Sequence, residues 1–364
     1  MELYSEIGSA NMAEENDYYK FTILGETGSG KTCYLLGMYF EMSMGVAGYT
    51  IITENADDDK NLATRYEMLN DKARGQSRFP DPSDDVQKYY FDLQYAYETI
   101  LPFEWIDYPG NYLDPKYKNV NGERYQQVEK NIRESSMLFI CIDGDKLRGS
   151  NINRKIRNVK MKCAKNIGPY LGSFNGNLPP IAMVVTKYDL CEADTSPAEV
   201  KEIIEEAFES LFQRDDVFVA IIPVSLGATL QDDNYSGELE PLNVHLPILM
   251  GINFALIKEM ELGKKLIDDI EGNISNAQRD RDAEQDSFFL WRNNTFISDM
   301  NDYITKARKN IEEFRALGKY FKKSADRINR DLEEIDLIFM NGSWQDRRTI
   351  RKMWEDLQSV TEYF

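Results

Sequence analysis

The chain has 364 residues and a formal net charge of −19, with 43 lysines and arginines against 62 aspartates and glutamates. Hydrophobic residues make up 42% of it, so the chain is long and apolar enough to bury a large core and does not have the composition of a disordered protein. Nucleic acids and anionic membranes both attract clustered Lys and Arg, which an acid excess opposes. We therefore expect neither a nucleic acid nor a membrane as a partner.

The cysteine and histidine content restricts the chemistry further. The four cysteines lie far apart without a C-x-x-C pair, and His245 is the single histidine. Separated cysteines of this kind are typical of reduced thiols, and we find no secretory signal and no apolar run of about 18 residues. The sequence predicts a cytoplasmic protein, and one histidine argues against a zinc site or a His-based catalytic triad.

Short β-rich runs alternate with helical patterns over residues 18–260. The predicted strands are Tyr18–Leu24, Tyr49–Thr53, Lys88–Tyr95, Phe103–Ile106, Met137–Ile142, Ile181–Thr186 and Val217–Val224. The predicted helices are Lys31–Met44, Gly122–Ser135, Arg154–Tyr170, Pro197–Phe212 and Leu242–Met260. This alternation predicts an α/β fold in which a mostly parallel sheet carries helices on both faces.

The C-terminal residues have a helical period instead. Apolar residues recur at spacings of three and four from Ile297 to Phe314, and after one slip the pattern continues to Phe339. A last helix is predicted over Ile350–Phe364, with Asn341-Gly342-Ser343 as the break between the final two helices. These patterns favour an all-α bundle folded back on itself or on the first domain; an intermolecular coiled coil is the alternative.

The segment Gly25–Thr32 reads G-E-T-G-S-G-K-T and matches the phosphate-binding pattern G-x-x-x-x-G-K-[ST]. It follows a predicted strand and opens a predicted helix, so its glycines and the helix N-terminus direct backbone N–H groups at phosphates. Lys31 would bridge the β- and γ-phosphates, and the Thr32 hydroxyl would hold Mg²⁺. The predicted nucleotide-binding residues of this loop are Gly25, Glu26, Thr27, Gly28, Ser29, Gly30, Lys31, Thr32 and Cys33.

Three further motifs each end a predicted strand. They are Asp107-Tyr108-Pro109-Gly110, Thr186-Lys187-Tyr188-Asp189 and Ser225-Leu226-Gly227. Ligands of open α/β sheets bind at the carboxyl ends of the strands. Counted from the Gly25–Thr32 loop, the motifs occur in the order of a phosphate-binding, a metal-binding and a base-binding group.

With these motifs, the chain from about Tyr18 to Met260 resembles the Ras- and Arf-like (TRAFAC-class) P-loop GTPases. The resemblance implies a G domain that binds GTP or GDP with Mg²⁺. By that resemblance Asp107 would reach Mg²⁺ through water, and the Gly110 N–H would sense the γ-phosphate. Asp189 would accept two hydrogen bonds from the guanine N1–H and exocyclic amine, Lys187 would pack along the base, and the Ser225–Gly227 turn would offer backbone N–H groups to the guanine O6. The predicted base-binding residues are Thr186, Lys187, Asp189, Ser225 and Leu226. Adenine presents an acceptor at N1 and no donor at C2, so a carboxylate there would discriminate against it.

The spacing departs from that of Ras, because 75 residues separate Thr32 from Asp107. The segment Asp57–Gly75 has the pattern of a helix, so we predict an inserted strand–helix unit around residues 45–80. Two strands joined by a tight turn occupy about 20 residues, which selects Ser83, in the loop Arg78–Ser83, as the switch I hydroxyl on Mg²⁺. The predicted organisation is an N-terminal extension (1–17), a G domain (18–260) and a helical bundle or coiled-coil tail (261–364).

Asn111 follows D-Y-P-G, where Ras-like enzymes carry the glutamine that orients the attacking water. Asparagine is one methylene shorter, so we expect slow GTP hydrolysis, accelerated by a partner protein or by self-association. Gln126 and Gln127 are the other candidates for orienting the water. Candidates for an arginine that stabilises the developing charge are Arg124, Arg148 and Arg154.

The predicted function is a GTP-binding switch whose nucleotide state controls docking of the helical tail or a partner. A pseudo-GTPase scaffold and a dynamin-like mechanical GTPase are the alternatives, whereas the T-K-Y-D motif speaks against an ATPase of the kinesin or myosin kind. The F-P-x-x-[ST] loop together with D-Y-P-G also resembles the bacterial double-GTPase (DO-GTPase) branch, whose members are associated with conflict and defence systems.

Overall fold

The computed structural model describes residues 18–70, 77–81, 85–113, 122–174, 176, 178–231, 239–286 and 293–357. The chain divides into two compact units. The first comprises the residues up to Gly251 together with Ile335–Gln345, and the second comprises Ile252–Glu334 together with the residues from Asp346 onward.

The described residues of the first unit form one nine-stranded sheet in the order β2-β3-β4-β1-β5-β6-β7-β8-β9. The strands are β1 (Tyr19–Leu24), β2 (Tyr49–Thr53), β3 (Gln87–Tyr95), β4 (Glu98–Asp107), β5 (Met137–Asp143), β6 (Ile181–Thr186), β7 (Phe218–Pro223), β8 (Leu337–Met340) and β9 (Ser343–Trp344). The five central strands, from β4 to β7, pair in parallel, while β2, β3, β8 and β9 pair antiparallel at the two edges. The predicted α/β fold is confirmed, but the sheet is mixed, with its parallel pairings confined to the centre, whereas a mostly parallel sheet was predicted.

The helices of the first unit connect the strands. They are α1 (Lys31–Met44), α2 (Ala56–Asn70), α3 (Gly122–Glu134), α4 (Ile152–Val159), α5 (Lys165–Leu171), α6 (Pro197–Ala207) and α7 (Glu209–Phe212). A π-helical turn over Lys160–Ala164 joins α4 to α5, so the predicted single helix Arg154–Tyr170 is interrupted. Helix α6 begins where its sequence has the residues that favour a helix start. The Ser196 hydroxyl accepts a hydrogen bond from the Glu199 N–H, and Pro197 occupies the first turn.

The central strands are buried on both faces. All residues of β5 and β6 are buried, which explains why these strands read as continuous apolar runs. One face carries an aromatic layer in which the ring centroids of Phe21 and Phe103 lie 5.0 Å apart. The other face packs Val128 of α3 and Ile203 of α6 into a second cluster. Helices therefore cover both faces, and the carboxyl ends of the central strands are left to carry loops.

Two long helices dominate the second unit. Helix α8 (Leu246–Gln285) begins in the first unit and continues in the second, followed by α9 (Asn294–Leu332) and α10 (Arg347–Leu357). The apolar seam predicted in α9 packs against α8 of the same chain through Ile267, Ile274, Ala277, Ile304, Ala307 and Ile311. This intramolecular seam favours the folded-back arrangement and confirms a helical C-terminal region.

The end of the predicted helical seam is wrong. Helix α9 ends at Leu332, and Phe339 lies in β8, which pairs antiparallel with β7. Asn341 and Gly342 are not a break between helices but the turn of a β-hairpin, and both have positive φ, at 53° and 71°. An Asn-Gly pair between apolar residues is a strong hairpin signal, and the helical period that preceded it obscured this signal.

Within the described ranges, no helix is both long enough and apolar enough to cross a lipid bilayer.

Candidate functional site

The loop Gly25–Gly30 connects β1 to α1 in the conformation that its glycines permit. Gly28 and Gly30 have φ of 80° and 86°, in the left-handed region that side chains avoid. Gly30 also packs closely on β6, because a Cβ there would lie 3.2 Å from the Thr186 Cβ. The glycines of this motif therefore fulfil a geometric requirement.

Lys31 folds back over this loop. It is 7% exposed, and its Nζ donates to the carbonyl oxygens of Gly25 at 3.0 Å and Glu26 at 3.2 Å. Burial raises the pKa of the Glu26 carboxyl beside the loop. Burial also raises the pKa of the Cys33 thiol to about 11, so this cysteine stays protonated at neutral pH. Lys31 thus holds its ammonium group against the main chain of the loop.

Asp107 ends β4 beside the segment Gly25–Thr32, which we call the phosphate loop after its sequence motif. It is 4% exposed, its Oδ2 accepts a hydrogen bond from the Thr32 hydroxyl at 3.5 Å, and its Oδ1 is buried without a partner. Burial raises the pKa of Asp107 to about 6, although Lys31 and the Thr32 hydroxyl act to lower it. A buried carboxylate oxygen without a partner is costly unless a cation or donor occupies the adjacent space.

The Thr32 hydroxyl and the Asp107 carboxylate suit Mg²⁺ better than a metal whose ligands are all supplied by protein side chains. The described residues contain no group of three or more His, Cys, Asp or Glu side chains placed to hold a metal. Mg²⁺ commonly keeps several waters and takes one or two protein oxygens together with substrate phosphates. Thr32 and Asp107 supply such oxygens next to the loop.

Gly110 comes close to the same loop. A side chain at Gly110 would overlap the main chain of Glu26 and Thr27. The preceding Tyr108 is buried, and its hydroxyl accepts a hydrogen bond from the Asn131 side chain of α3, which in turn accepts one from Gln127 at 3.1 Å. The D-Y-P-G motif is therefore held against the phosphate loop at one end and against α3 at its tyrosine.

The T-K-Y-D motif also contacts the phosphate loop. The Thr186 hydroxyl donates to the Ser29 carbonyl oxygen at 2.6 Å. Lys187 Nζ donates to the Gly28 carbonyl oxygen at 2.7 Å and lies 3.0 Å from the Asp143 carboxylate. The backbone φ of Lys187 is 51°, a value that residues with a side chain seldom adopt. Backbone strain of this kind is found more often at functional sites than elsewhere. Phosphate loop and T-K-Y-D motif form one hydrogen-bonded structure.

Asp189 is joined to the turn that follows β7. The Ser225 hydroxyl donates to Asp189 Oδ1 at 2.7 Å and accepts a hydrogen bond from the Gly227 N–H at 2.8 Å. The Tyr188 N–H donates to the Val224 carbonyl oxygen at 3.1 Å. Asp189 thus presents a carboxylate that a neighbouring hydroxyl orients.

One cavity of about 530 Å³ brings these loops together. Its volume lies in the range of sites for small molecules and cofactors. The predicted residues that line it are Thr27, Gly28, Gly30, Lys31, Thr32, Cys33, Asp107, Gly110, Thr186, Lys187, Asp189, Ser225 and Leu226. Motifs separated by up to about 200 residues in the sequence therefore surround a single space at the carboxyl ends of parallel strands.

Other predicted residues do not line the cavity. Gly25, Glu26 and Ser29 belong to the loop but are absent from its lining, and the buried Ser29 Oγ has no partner. Asn111 is exposed, in a short 3₁₀ turn over Gly110–Leu113, and is likewise absent from the lining. Ser83 lies outside the described residues.

Several lining residues were missed by sequence reasoning. They are Tyr34, Asp145, Leu190, Val224, Leu230 and Val244. The other lining residues belong to loops and motifs that the sequence had indicated: Phe79, Pro80, Asp81, Tyr108, Pro109 and Gly227. Asp145 follows the buried strand β5 at the same sheet edge, so its position at a strand end was the available signal. The apolar members carry no such signal, because nothing in their local pattern separates a cavity wall from a core.

Comparison with known proteins gives no match: no protein-family model matches the chain, and no curated protein is significantly similar to it in sequence.

Proposed function

We propose that the first unit is a P-loop G domain and that the protein is a Mg²⁺-dependent GTP-binding switch with slow GTP hydrolysis. The observation that carries this proposal is the single cavity lined by Lys31, Asp107, Asp189 and Ser225. Each of these residues ends or follows a different strand of the parallel part of the sheet. Such a constellation suits a ligand with a polyphosphate at one end and a hydrogen-bonding base at the other.

The phosphate end has the required chemistry. The Lys31 ammonium now satisfies two loop carbonyls, and a β,γ-phosphate would replace them as a stronger, charge-assisted partner. Mg²⁺ would supply compensation for the charges of the phosphates and of Asp107, with Thr32 and Asp107 as its nearest protein groups. The buried, unpartnered Oδ1 of Asp107 supports this assignment.

The base end favours guanine over adenine. Asp189 carries a carboxylate oriented by the Ser225 hydroxyl. Guanine offers two adjacent N–H donors to a carboxylate, whereas adenine offers an acceptor in the same place and would leave the carboxylate unpaired. Selectivity for GTP and GDP over ATP follows.

Calorimetric titration of the purified full chain with GTP, GDP and ATP in the presence of Mg²⁺ tests the proposal, together with chromatography of nucleotide released on heat denaturation. We expect tight binding of guanine nucleotides and none of ATP. Lys31→Ala is expected to abolish Mg²⁺–GTP binding, while Lys130→Ala, at an exposed lysine paired with Glu134 on α3, serves as the control. Preference for ATP, or unchanged GTP affinity in Lys31→Ala, would overturn the assignment.

A pseudo-GTPase scaffold is the second candidate, and the position of Asn111 favours it. Asn111 is exposed and away from the cavity lining, so no side chain at the predicted position is placed to orient a water. Freshly purified protein that contains GTP and releases no phosphate over hours would support the scaffold, whereas bound GDP would support slow turnover. In either case the proposed output is nucleotide-dependent docking of the helical tail or of a partner protein, as in the bacterial conflict systems that the motifs suggest.

A further inference from the structure

A short segment of the insertion contacts the loop that follows β7. Phe79, Pro80 and Asp81 line the cavity, and so does Leu230, in the loop that follows β7. Arg78 links the two, because its Nη1 donates to the Leu230 carbonyl oxygen at 3.2 Å across 152 positions of sequence. We call Arg78–Asp81 the strap, and residues 225–231 and 239–242 the base loop.

Arg78 is well placed to fix the strap. Its side chain is 6% exposed, whereas the adjacent Phe79 is 49% exposed. A buried guanidinium retains its position only if its donors find acceptors, and a carbonyl oxygen of the base loop is one of them. The buried arginine therefore acts as the anchor, and the exposed phenylalanine beside it forms the cavity wall.

A second hydrogen bond joins the insertion to the base loop. The Asn70 side chain, at the end of α2, accepts from the Leu239 N–H at 3.1 Å. The base loop is in turn closed by paired main-chain hydrogen bonds between Ser225 and Leu242, and its Ser225 hydroxyl donates to Asp189. The insertion is thus connected, through the base loop, to the carboxylate that the proposed function places on the base.

We propose that Arg78 is a positioning residue that holds the strap against the base loop and so sets the rate at which a guanine nucleotide leaves the cavity. This inference rests on the proposed function. Loss of the Arg78 anchor frees Phe79, Pro80 and Asp81 to move away from the cavity, which opens a path for release. The strap then contributes less to holding a bound nucleotide, and weakened contacts in a complex appear mainly as faster release rather than as a changed association rate.

Release of a fluorescent GDP analogue from the full chain, chased by excess GDP in a stopped-flow instrument, tests the proposal. Arg78→Ala is expected to release the analogue about tenfold faster, with an association rate within about twofold of the wild type. Arg78→Lys keeps one donor for the Leu230 carbonyl and should recover part of the slow release. The matched control is Arg214→Ala, which removes another arginine-to-carbonyl hydrogen bond, to Gly176, at a site outside the cavity lining.

A second variant guards against a folding defect in Arg78→Ala. Asn70→Ala removes the other link at the end of a surface helix, and we expect release about threefold faster at an unchanged melting temperature. If the wild type binds guanine nucleotide and both variants release it at the wild-type rate, the strap proposal is overturned while the proposed function stands. If the wild type binds no guanine nucleotide, the proposed function itself fails, and the strap proposal with it.

Discussion

At the scale of single residues, Asp107 shows a conflict between folding and the proposed function. Its carboxylate is buried with one oxygen unpartnered, and burial raises its pKa to about 6. The charged form is therefore costly in the metal-free protein. A protein optimised for stability alone would not bury a carboxylate at this position. A bound ligand that pairs with the carboxylate and offsets its burial best explains why it is there.

The pH dependence of stability should reveal this cost. Because the pKa of Asp107 is higher in the folded protein than its ordinary value of 3.8, its contribution to stability is complete at low pH and is lost as the pH rises to about 6 and beyond. Asp107→Asn removes the charge and is expected to stabilise the metal-free protein by about 3 kcal/mol at pH 7.5. Denaturant unfolding in EDTA at pH 5 and pH 7.5 measures the difference.

The same substitution should weaken Mg²⁺-dependent GTP binding, so stability and binding move in opposite directions. Asp302→Asn, at an exposed position of α9, is the control for a general effect of lost charge. An Asp107→Asn protein that is less stable than the wild type at pH 7.5 would contradict the account of Asp107.

In the proposed function, Asp189 decides the base preference. Asp189→Asn replaces a carboxylate, which only accepts hydrogen bonds, by an amide, which also donates one. The amide no longer matches the two N–H donors of guanine, but its N–H matches the additional oxygen of xanthine. Loss of two hydrogen bonds to a charged group corresponds to about 100-fold weaker GDP binding. Competition between GDP and xanthosine diphosphate measures the change, with Asp145→Asn, another carboxylate of the cavity lining, as the matched control. Unchanged preference in Asp189→Asn would refute guanine recognition by this residue.

At the scale of elements, predictability followed the strength of local signals. The strands β5 and β6 and the glycines of the phosphate loop were predictable because continuous apolar runs and a fixed motif have few alternative meanings. The hairpin of β8 and β9 was not predicted, because Phe339 continued a helical period by chance and this period outweighed the hairpin signal of Asn341 and Gly342. The loop that contains the strap was predicted, but its anchoring was not, because Arg78 and Leu230 are 152 positions apart and nothing local to either residue indicates the other as its partner.

The hairpin should contribute to the stability of the first unit. Phe339 packs edge-to-face on Phe212 at 5.0 Å, and Trp344 donates to Glu205 of α6 at 2.9 Å. Phe339→Ala is expected to destabilise the protein by about 3–4 kcal/mol, the usual cost of truncating a buried phenylalanine. Urea unfolding monitored by tryptophan fluorescence checks this. Tyr97→Ala, at an aromatic residue that is 89% exposed, should cost little, and equal effects of the two would argue against β8 as part of the core.

At the scale of the whole molecule, the continuity of α8 gives the proposed switch a route to the tail. The helix runs unbroken from Leu246 to Gln285, and the boundary between the two compact units falls within it, after Gly251. A switch that acts on the tail requires an element that belongs to both units, and α8 is such an element. If GTP and GDP hold the start of α8 differently, the seam of α8 and α9 should respond.

Hydrogen–deuterium exchange of the full chain with Mg²⁺ and either GDP or a non-hydrolysable GTP analogue tests this expectation. Any ligand that binds only the folded state protects the unit that holds the cavity, by about 2.7 kcal/mol at 100 times its Kd. A switch requires more, namely a difference between the two nucleotides in the exchange of Ile252–Glu334. Lys31→Ala should abolish that difference. Identical exchange of this segment in both complexes would exclude control of the tail and leave docking of a partner on the first unit as the output, because a ligand with equal affinity for two states shifts neither.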